Sequence, residues 1–169
     1  MWKALKEWLK PDLMVAQIND IPIALIAQWG ARGVILDVDN TLLSRKANEP
    51  DQTVQAWVKS LKKQSNVILL SNNIPSKIRR AADPLELEYI AWTIKPWSCY
   101  FRKALKKLQL SSSEVCVIGD QLFTDVLGGK LLGTKTILVQ AIDLKNEMIW
   151  TKLMRFFERK VLKSWMNNP

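Results

Sequence analysis

Three aspartates in this sequence are placed where they could hold a metal ion. Asp37 and Asp39 are separated by one residue and follow a run of apolar residues, and Asp120 follows another such run. Two carboxylates this close repel each other, and a divalent cation removes that cost. Magnesium fits best, because it prefers oxygen ligands and accepts water or a phosphate in the remaining positions. Each aspartate alone could equally be a turn or helix-capping residue, but the set of three predicts a magnesium site.

The composition narrows the chemistry that the chain can perform. Its 169 residues include no histidine, which excludes catalytic triads with histidine and histidine-ligated metals within the chain. Two cysteines, Cys99 and Cys116, can form neither a disulfide framework nor a cysteine-rich zinc site, and they fit a reducing compartment. The formal net charge of +9 predicts an anionic partner: phosphate, nucleic acid or an anionic membrane.

Strands and helices alternate along the chain between the polar residues. The predicted strands are 33–38, 66–71, 89–93, 115–119 and 136–139, and the predicted helices between them are 51–65, 75–83, 98–108 and 125–132. This order predicts an α/β fold of three layers, in which helices cover both faces of a doubly wound parallel sheet.

The polar residues collect at the carboxyl ends of these strands, where ligands bind in open α/β sheets. Residues 37–41 lie at the end of the first strand, 71–73 at the end of the second and 119–120 at the end of the fourth. Asp, Asn and Gly also favour turns after strands, and this alternative accounts for one such position. It accounts poorly for three at one edge of a sheet, so we expect a single polar site there.

The two ends of the chain are predicted to be basic amphipathic helices. One domain is expected over 1–169, with its core at about 31–142 and helical segments at 1–30 and 143–169. In the predicted helix 148–166, one side carries Trp150, Leu153, Met154, Phe157, Val161 and Trp165, and the other carries Lys152, Arg155, Arg159 and Lys163. Such helices lie on anionic lipid, and the alternative is a helix packed on the sheet with a solvated basic face.

The amino-terminal segment of the chain repeats this pattern over fewer residues. Residues 1–10 place Trp2, Leu5, Trp8 and Leu9 opposite Lys3, Lys6 and Lys10, and Pro11 stops the predicted helix. The start shows neither a secretory signal nor a bilayer-spanning stretch. These features predict a cytoplasmic protein, peripheral on the inner face of a membrane, with an anionic membrane surface as partner. Nucleic acid is not expected, because no nucleic-acid-binding motif is present.

No cap domain is expected above the predicted site. Only 25 residues separate Thr41 from Val67, and only 23 separate Ser71 from Lys95. One helix with its loops fills the first interval, and a helix and a strand fill the second. The open site suits a macromolecule, or a headgroup presented by a membrane, better than a small free metabolite.

Four short segments carry a resemblance to a known superfamily. They are Asp-Val-Asp-Asn-Thr at 37–41, Leu-Ser-Asn-Asn at 70–73, Ile-Lys-Pro at 94–96 and Gly-Asp-Gln-x-x-Thr-Asp at 119–125. In this order they resemble the four motifs of the haloacid dehalogenase (HAD) superfamily of phosphatases. Within this superfamily, the residues of these motifs are similar to those of subfamily IIIA and its phosphatidylglycerophosphatase-like branch. The resemblance implies a HAD-like Rossmannoid core.

The resemblance also implies a role for each matched residue. Asp37 would be the nucleophile that forms an aspartyl-phosphate, and Asp39 would be the general acid and then the general base. Lys95 would supply a fixed positive charge to the nucleophile and the phosphoryl group. The implied phosphate-binding residues are Thr41, Ser71, Asn72 and Lys95. The implied ligands of Mg²⁺ are Asp37, Asp120 and the main-chain carbonyl of Val38 or Asp39, of which the family pattern favours Asp39. Asp125 would support the metal directly or through water.

The combined interpretation is a Mg²⁺-dependent phosphomonoesterase acting through an aspartyl-phosphate. Its expected substrate is phosphatidylglycerophosphate, a phospholipid whose phosphorylated headgroup lies at the membrane surface. One alternative is a soluble phosphatase for a nucleotide or phosphosugar. Another is a non-hydrolytic phospho-acceptor switch of receiver type, which Asp39 argues against because it supplies a hydrolytic acid and base.

Overall fold

The protein is described by a computed structural model that covers residues 2–145, 147 and 149–166. Its α-helices are α1 Trp2–Trp8, α2 Ile23–Gln28, α3 Gln52–Leu61, α4 Pro75–Leu85, α5 Ser98–Leu108, α6 Leu127–Leu132 and α7 Ile149–Met166. Its strands are β1 Leu13–Val15, β2 Gly33–Leu36, β3 Asn66–Leu70, β4 Glu88–Ile90, β5 Val115–Gly119 and β6 Lys135–Val139.

The six strands form one parallel sheet in the order β1-β6-β5-β2-β3-β4. All four residues of β2 are buried, since helices cover both faces of the sheet. On one face, Val34 and Leu36 belong to the apolar core that contains Trp57 of α3. On the other, Ile35 belongs to the core that contains Phe101 of α5. The predicted three-layer α/β fold is therefore confirmed.

The strand β1 is absent from the sequence-based prediction, which described 1–30 as a helical segment whose first helix stops at Pro11. Residues Leu13–Val15 instead pair with β6, with Met14 opposite Leu138, at the edge of the sheet. The strand has only three residues, and their burial alternates weakly. A pattern this short does not distinguish a strand from a loop in the sequence.

Close packing of α6 on its neighbours explains the glycine pair in that helix. A Cβ atom added to Gly128 would lie 2.3 Å from the ring of Phe101, and one added to Gly129 would lie 2.6 Å from the side chain of Thr136. The helix therefore approaches α5 and β6 more closely than any residue with a side chain would allow.

The helix α7 packs on the sheet layer through its second half. Val161 and Trp165 are buried in a cluster with Leu9, Leu122 and Leu138. The first half of α7 leaves large apolar side chains exposed, and Trp150 keeps 73% of its accessible surface. The predicted helix began at residue 148, which lies outside the described residues, as do the side chains of Trp2 and Lys3 in the amino-terminal helix.

The chain connects the core strands without a cap. The interval from β2 to β3 holds α3 and its loops, and the interval from β3 to β4 holds α4. Across the described residues, every helix is too short or too polar to cross a bilayer.

Candidate active site

Three acidic side chains meet at the carboxyl edge of the sheet because their strands are neighbours. Asp37 follows β2 and Asp120 follows β5, and these two strands pair in parallel with Leu36 opposite Ile118. Asp125 lies one short turn further along the chain. Carboxylate oxygens of Asp37, Asp120 and Asp125 lie within 4.8 Å of one another, and all three residues are buried.

A π-helical turn at Leu122–Val126 brings Asp125 back onto the end of β5. The sequence predicted an ordinary helix from Asp125 onward, whereas α6 begins only at Leu127. A Cβ atom added to Gly119 would lie 2.3 Å from the carboxyl carbon of Asp125, so only glycine fits there. The main-chain N–H of Gln121 donates to Asp125 Oδ2 over 3.2 Å and fixes the carboxylate in this position.

Lys95 reaches this cluster from the loop after β4. Its ammonium group donates to Asp37 Oδ1 over 2.5 Å and to Asp125 Oδ1 over 2.6 Å. The loop is held by Asn72, whose Oδ1 accepts from the N–H of Lys95 over 2.9 Å and from the hydroxyl of Thr93 over 2.8 Å. The structure thus brings together Lys95 and the acids that the sequence placed with it.

Burial makes the charge balance of this cluster unfavourable. Burial, with the charge of Asp125 added, raises the pKa of Asp37, and Lys95 only partly opposes this. Burial and the charge of Asp37 raise the pKa of Asp120 well above its ordinary value. Burial alone would lower the pKa of Lys95, but Asp125 and Asp37 outweigh it and raise the pKa, so the lysine stays charged. Clustered oxygen donors with excess negative charge fit a hard divalent cation such as Mg²⁺.

Asp39 lies apart from the three clustered carboxylates. It is half-buried, and its Oδ2 accepts from the side-chain amide of Asn73 over 2.8 Å. This environment suits a residue that exchanges protons with solvent or substrate. Its main-chain carbonyl as a metal ligand stays a prediction.

The residues predicted to bind phosphate each have a partner within the protein, and two of them, Thr41 and Lys95, contact Asp37. Thr41 donates to Asp37 Oδ2 over 2.9 Å and lies 3.4 Å from Asp120 Oδ1. Ser71 is buried, and its hydroxyl accepts from the N–H of Asn73 over 3.2 Å. Asn72 positions the loop of Lys95, as described above. Phosphate binding by Thr41, Ser71 and Asn72 stays a prediction.

Arg155 of α7 is a site residue that the sequence analysis placed on a basic side of the helix facing lipid or solvent, and its predicted exposure is wrong. Its side chain is 9% exposed and contacts both the carboxylate and the main-chain carbonyl of Asp120. It also pairs with Glu147 over 2.9 Å and with Glu158 over 3.3 Å. The sequence offered one indication of this burial. Two glutamates lie eight residues before and three residues after Arg155, and they could pair with it.

Known proteins are similar to this chain over most of its length. The chain is 32% identical over 161 residues to a Bacillus subtilis protein named "Probable phosphatase YqeG", covering 95% of this chain and 93% of that one. It is 28% identical over 148 residues to the mitochondrial phosphatidylglycerophosphatase GEP4 of Saccharomyces cerevisiae, covering 78% of this chain and 77% of that one.

Solved structures share the fold of this chain. The cobalt-bound deoxy-D-mannose-octulosonate 8-phosphate phosphatase YrbI of Haemophilus influenzae superposes with a TM-score of 0.53 at 16% identity, covering 80% of this chain and 89% of that one. The same α/β fold recurs in HAD-type hydrolases. The family described as "Mitochondrial PGP phosphatase" matches residues 4–142. The chain is therefore a HAD-type phosphatase and belongs to the mitochondrial PGP phosphatase family.

Proposed function

We propose that the protein is a Mg²⁺-dependent phosphomonoesterase that removes the terminal phosphate of phosphatidylglycerophosphate at a membrane surface. The observation that carries the chemistry is the carboxylate of Asp37, which is held between Lys95 and Thr41 beside two further buried acids. Family membership and the absence of a cap support the lipid substrate.

The residues divide the reaction into two displacements. Asp37 attacks phosphorus and forms an aspartyl-phosphate, while the ester P–O bond breaks and Asp39 gives its proton to the leaving oxygen. Asp39 then takes a proton from water, which attacks phosphorus, breaks the acyl phosphate bond and releases phosphate and Asp37. Lys95 stays charged and offsets the growing negative charge. A Mg²⁺ ion held by Asp37 and Asp120, with Asp125 nearby, would polarise the phosphoryl oxygens.

Apolar side chains near the site support action at a lipid surface. Trp92, Ile94 and Trp97 flank the catalytic lysine in its loop and keep 65%, 59% and 66% of their surface exposed. A groove of about 650 Å³ lined by Pro96, Met154 and Phe157 joins this loop to α7. Exposed apolar patches of this kind mark membrane or protein interaction surfaces, because removing apolar surface from water is favourable.

Exposed basic residues of α7 would add attraction to an anionic membrane. Lys152, Arg159 and Lys163 on α7 are exposed, and an anionic membrane attracts each nearby lysine or arginine by about 1 kcal/mol. Arg155 does not belong to this set, since its charge is bound within the site.

The substrate test measures phosphate release with and without Mg²⁺. The panel contains phosphatidylglycerophosphate in vesicles, a nucleotide monophosphate, a phosphosugar and an aryl phosphate. We expect the lipid to be turned over fastest and every activity to require the metal. Faster release from a soluble monophosphate would favour the soluble phosphatase instead. An aspartyl-phosphate that persists for hours would favour a phospho-acceptor switch.

The membrane test replaces the exposed tryptophans. In the double variant Trp92→Ser/Trp97→Ser, sedimentation with anionic vesicles and turnover of vesicle-bound lipid should fall at least tenfold. Turnover of a soluble aryl phosphate should stay within about twofold. Leu131→Ser is the matched control, because Leu131 is 56% exposed at the end of α6, before β6. Equal effects of the two changes on vesicle binding would contradict this surface.

A further inference from the structure

The two oxygens of the Asp120 carboxylate face different partners. Oδ2 is paired with the guanidinium of Arg155, whereas Oδ1 lies 3.4 Å from the hydroxyl of Thr41. That hydroxyl also donates to Asp37, over 2.9 Å. Oδ1 is therefore on the side of the nucleophile and Oδ2 on the side of α7.

The partners of Arg155 extend this arrangement to the other catalytic loops. Glu147 accepts from Arg155 and also from the side-chain amide of Asn40 over 3.0 Å, and Asn40 lies in the loop of the nucleophile. Glu158 accepts from the N–H of Phe123 over 3.1 Å, within the π-helical turn that carries Asp125. One arginine and two glutamates thus connect α7 to the loop after β2 and to the loop after β5.

We propose that Arg155 is a positioning residue for phosphate-ester hydrolysis, which holds Asp120 through Oδ2 so that Oδ1 faces a divalent cation. This inference rests on the proposed function, because it takes Asp120 as a metal ligand. Partners of this kind commonly decide metal affinity, since they fix the orientation of the ligand. The residue comes from outside the matched family region 4–142.

The local charges explain why arginine can stand next to a cation site. A lone guanidinium beside Asp120 would repel a divalent cation. Glu147 and Glu158 offset its charge, and both are buried with side-chain exposures of 1% and 3%. Arginine is also the side chain whose planar, five-donor group can serve Asp120 and both glutamates together. Lysine lacks this geometry, so Arg155→Lys keeps the charge and loses the orientation.

The test measures Mg²⁺ binding without substrate, as the metal concentration that gives half of the rise in melting temperature. It also measures the Mg²⁺ concentration for half-maximal hydrolysis of a soluble aryl phosphate. In Arg155→Met we expect both midpoints to rise by tenfold or more, in line with the loss of other groups that orient metal ligands. Arg102→Met removes an exposed arginine of α5 and should leave both midpoints unchanged.

Circular dichroism of the metal-free proteins separates positioning from folding. If Arg155→Met does not fold, Arg155→Lys takes its place, and its midpoints should still rise. A folded variant at Arg155 whose metal midpoints equal those of the parent would overturn the inference. A parent whose melting temperature and activity do not respond to Mg²⁺ would overturn the proposed function, and this inference with it.

Discussion

Acidic and basic side chains meet at both ends of the sheet, with opposite outcomes. At the amino end, Asp12 alone lies between two lysines, with Lys135 at 2.9 Å and Lys130 at 3.0 Å. Partial burial opposes ionisation, but hydrogen bonds from these lysines outweigh it and lower the pKa of Asp12 to about 2. At the carboxyl end, burial raises the pKa of both Asp37 and Asp120.

The difference lies in the ratio of charges. The amino-end cluster has two cations for one acid and is satisfied within the protein. At the carboxyl end, Lys95 and Arg155 serve five buried carboxylates, from Asp37, Asp120, Asp125, Glu147 and Glu158. Such an excess costs folding stability, and a bound cation offsets that cost. The first cluster is suited to stability, and the second to binding and chemistry.

The largest effect should come from removing the nucleophile. Asp37→Asn should lower phosphate release by at least a thousandfold, because neither Lys95 nor a metal replaces the covalent step. The metal-free variant should melt at the same temperature as the parent or higher, since one buried charge is gone. Phosphate release and thermal unfolding measure the two outcomes. A variant that keeps a tenth of the activity would rule out Asp37 as nucleophile, because that loss equals only about 1.4 kcal/mol of barrier.

Removing the acid and base should produce a smaller and different loss. Asp39→Asn should turn over an alkyl phosphate about 10²- to 10⁴-fold more slowly, because no group protonates the leaving oxygen or activates water. With an aryl phosphate, which has a good leaving group, rapid quenching should detect a burst of phosphoenzyme. Asn73→Ala is the matched control, since it removes a hydrogen bond to the carboxylate of Asp39 but keeps the acid, and it should cost much less. Unchanged turnover of the alkyl phosphate would refute this role.

Metal binding should stabilise the protein through the acids at the carboxyl end of the sheet and not through Asp12 at the other end. At a Mg²⁺ concentration 100 times its dissociation constant, the free energy of unfolding should rise by about 2.7 kcal/mol. For a chain of this size, that corresponds to a rise of roughly 5–10 °C in melting temperature. Asp120→Asn should lose most of this rise, whereas Asp12→Asn should keep it. Equal responses of the two variants, measured by thermal unfolding, would show that the two clusters do not differ in metal binding.

The sequence predicts those parts of the site that depend on local pattern. Asp37, Asp120 and Ser71 follow strands of continuous apolar residues, and parallel strands must end at one edge. The strands alone therefore bring these residues together. The position of Asp125 was predicted as part of a helix, because a π-helical turn has no distinct periodicity in sequence.

The part that escaped prediction depends on contacts between distant segments. Arg155 and Asp120 are 35 residues apart, and no spacing rule connects them. Helical periodicity assigned Arg155 to the polar side of α7, which is correct, but polar residues can face a buried acid as well as water. The same limit applies to Leu13–Val15, whose pairing with β6 is set by the sheet and not by its own residues.

The smallest effect should come from the amino-end cluster, where Asp12→Asn removes the acid and keeps both lysines. We expect the free energy of unfolding at pH 7 to fall by about 1 kcal/mol, because water screens pairs that are partly exposed. The folded pKa of about 2 lies below the unfolded value, so this contribution is present at neutral pH and is lost as the pH falls from about 4 to 2. Urea unfolding at pH 7 and pH 2.5 measures the difference in the free energy of unfolding between parent and variant. The active-site acids do not contribute to this difference, because both proteins carry them. Phosphatase activity should not change. A stability difference that is the same at both pH values would mean that the charge of Asp12 contributes nothing, and the contrast between the two ends of the sheet would lose its basis.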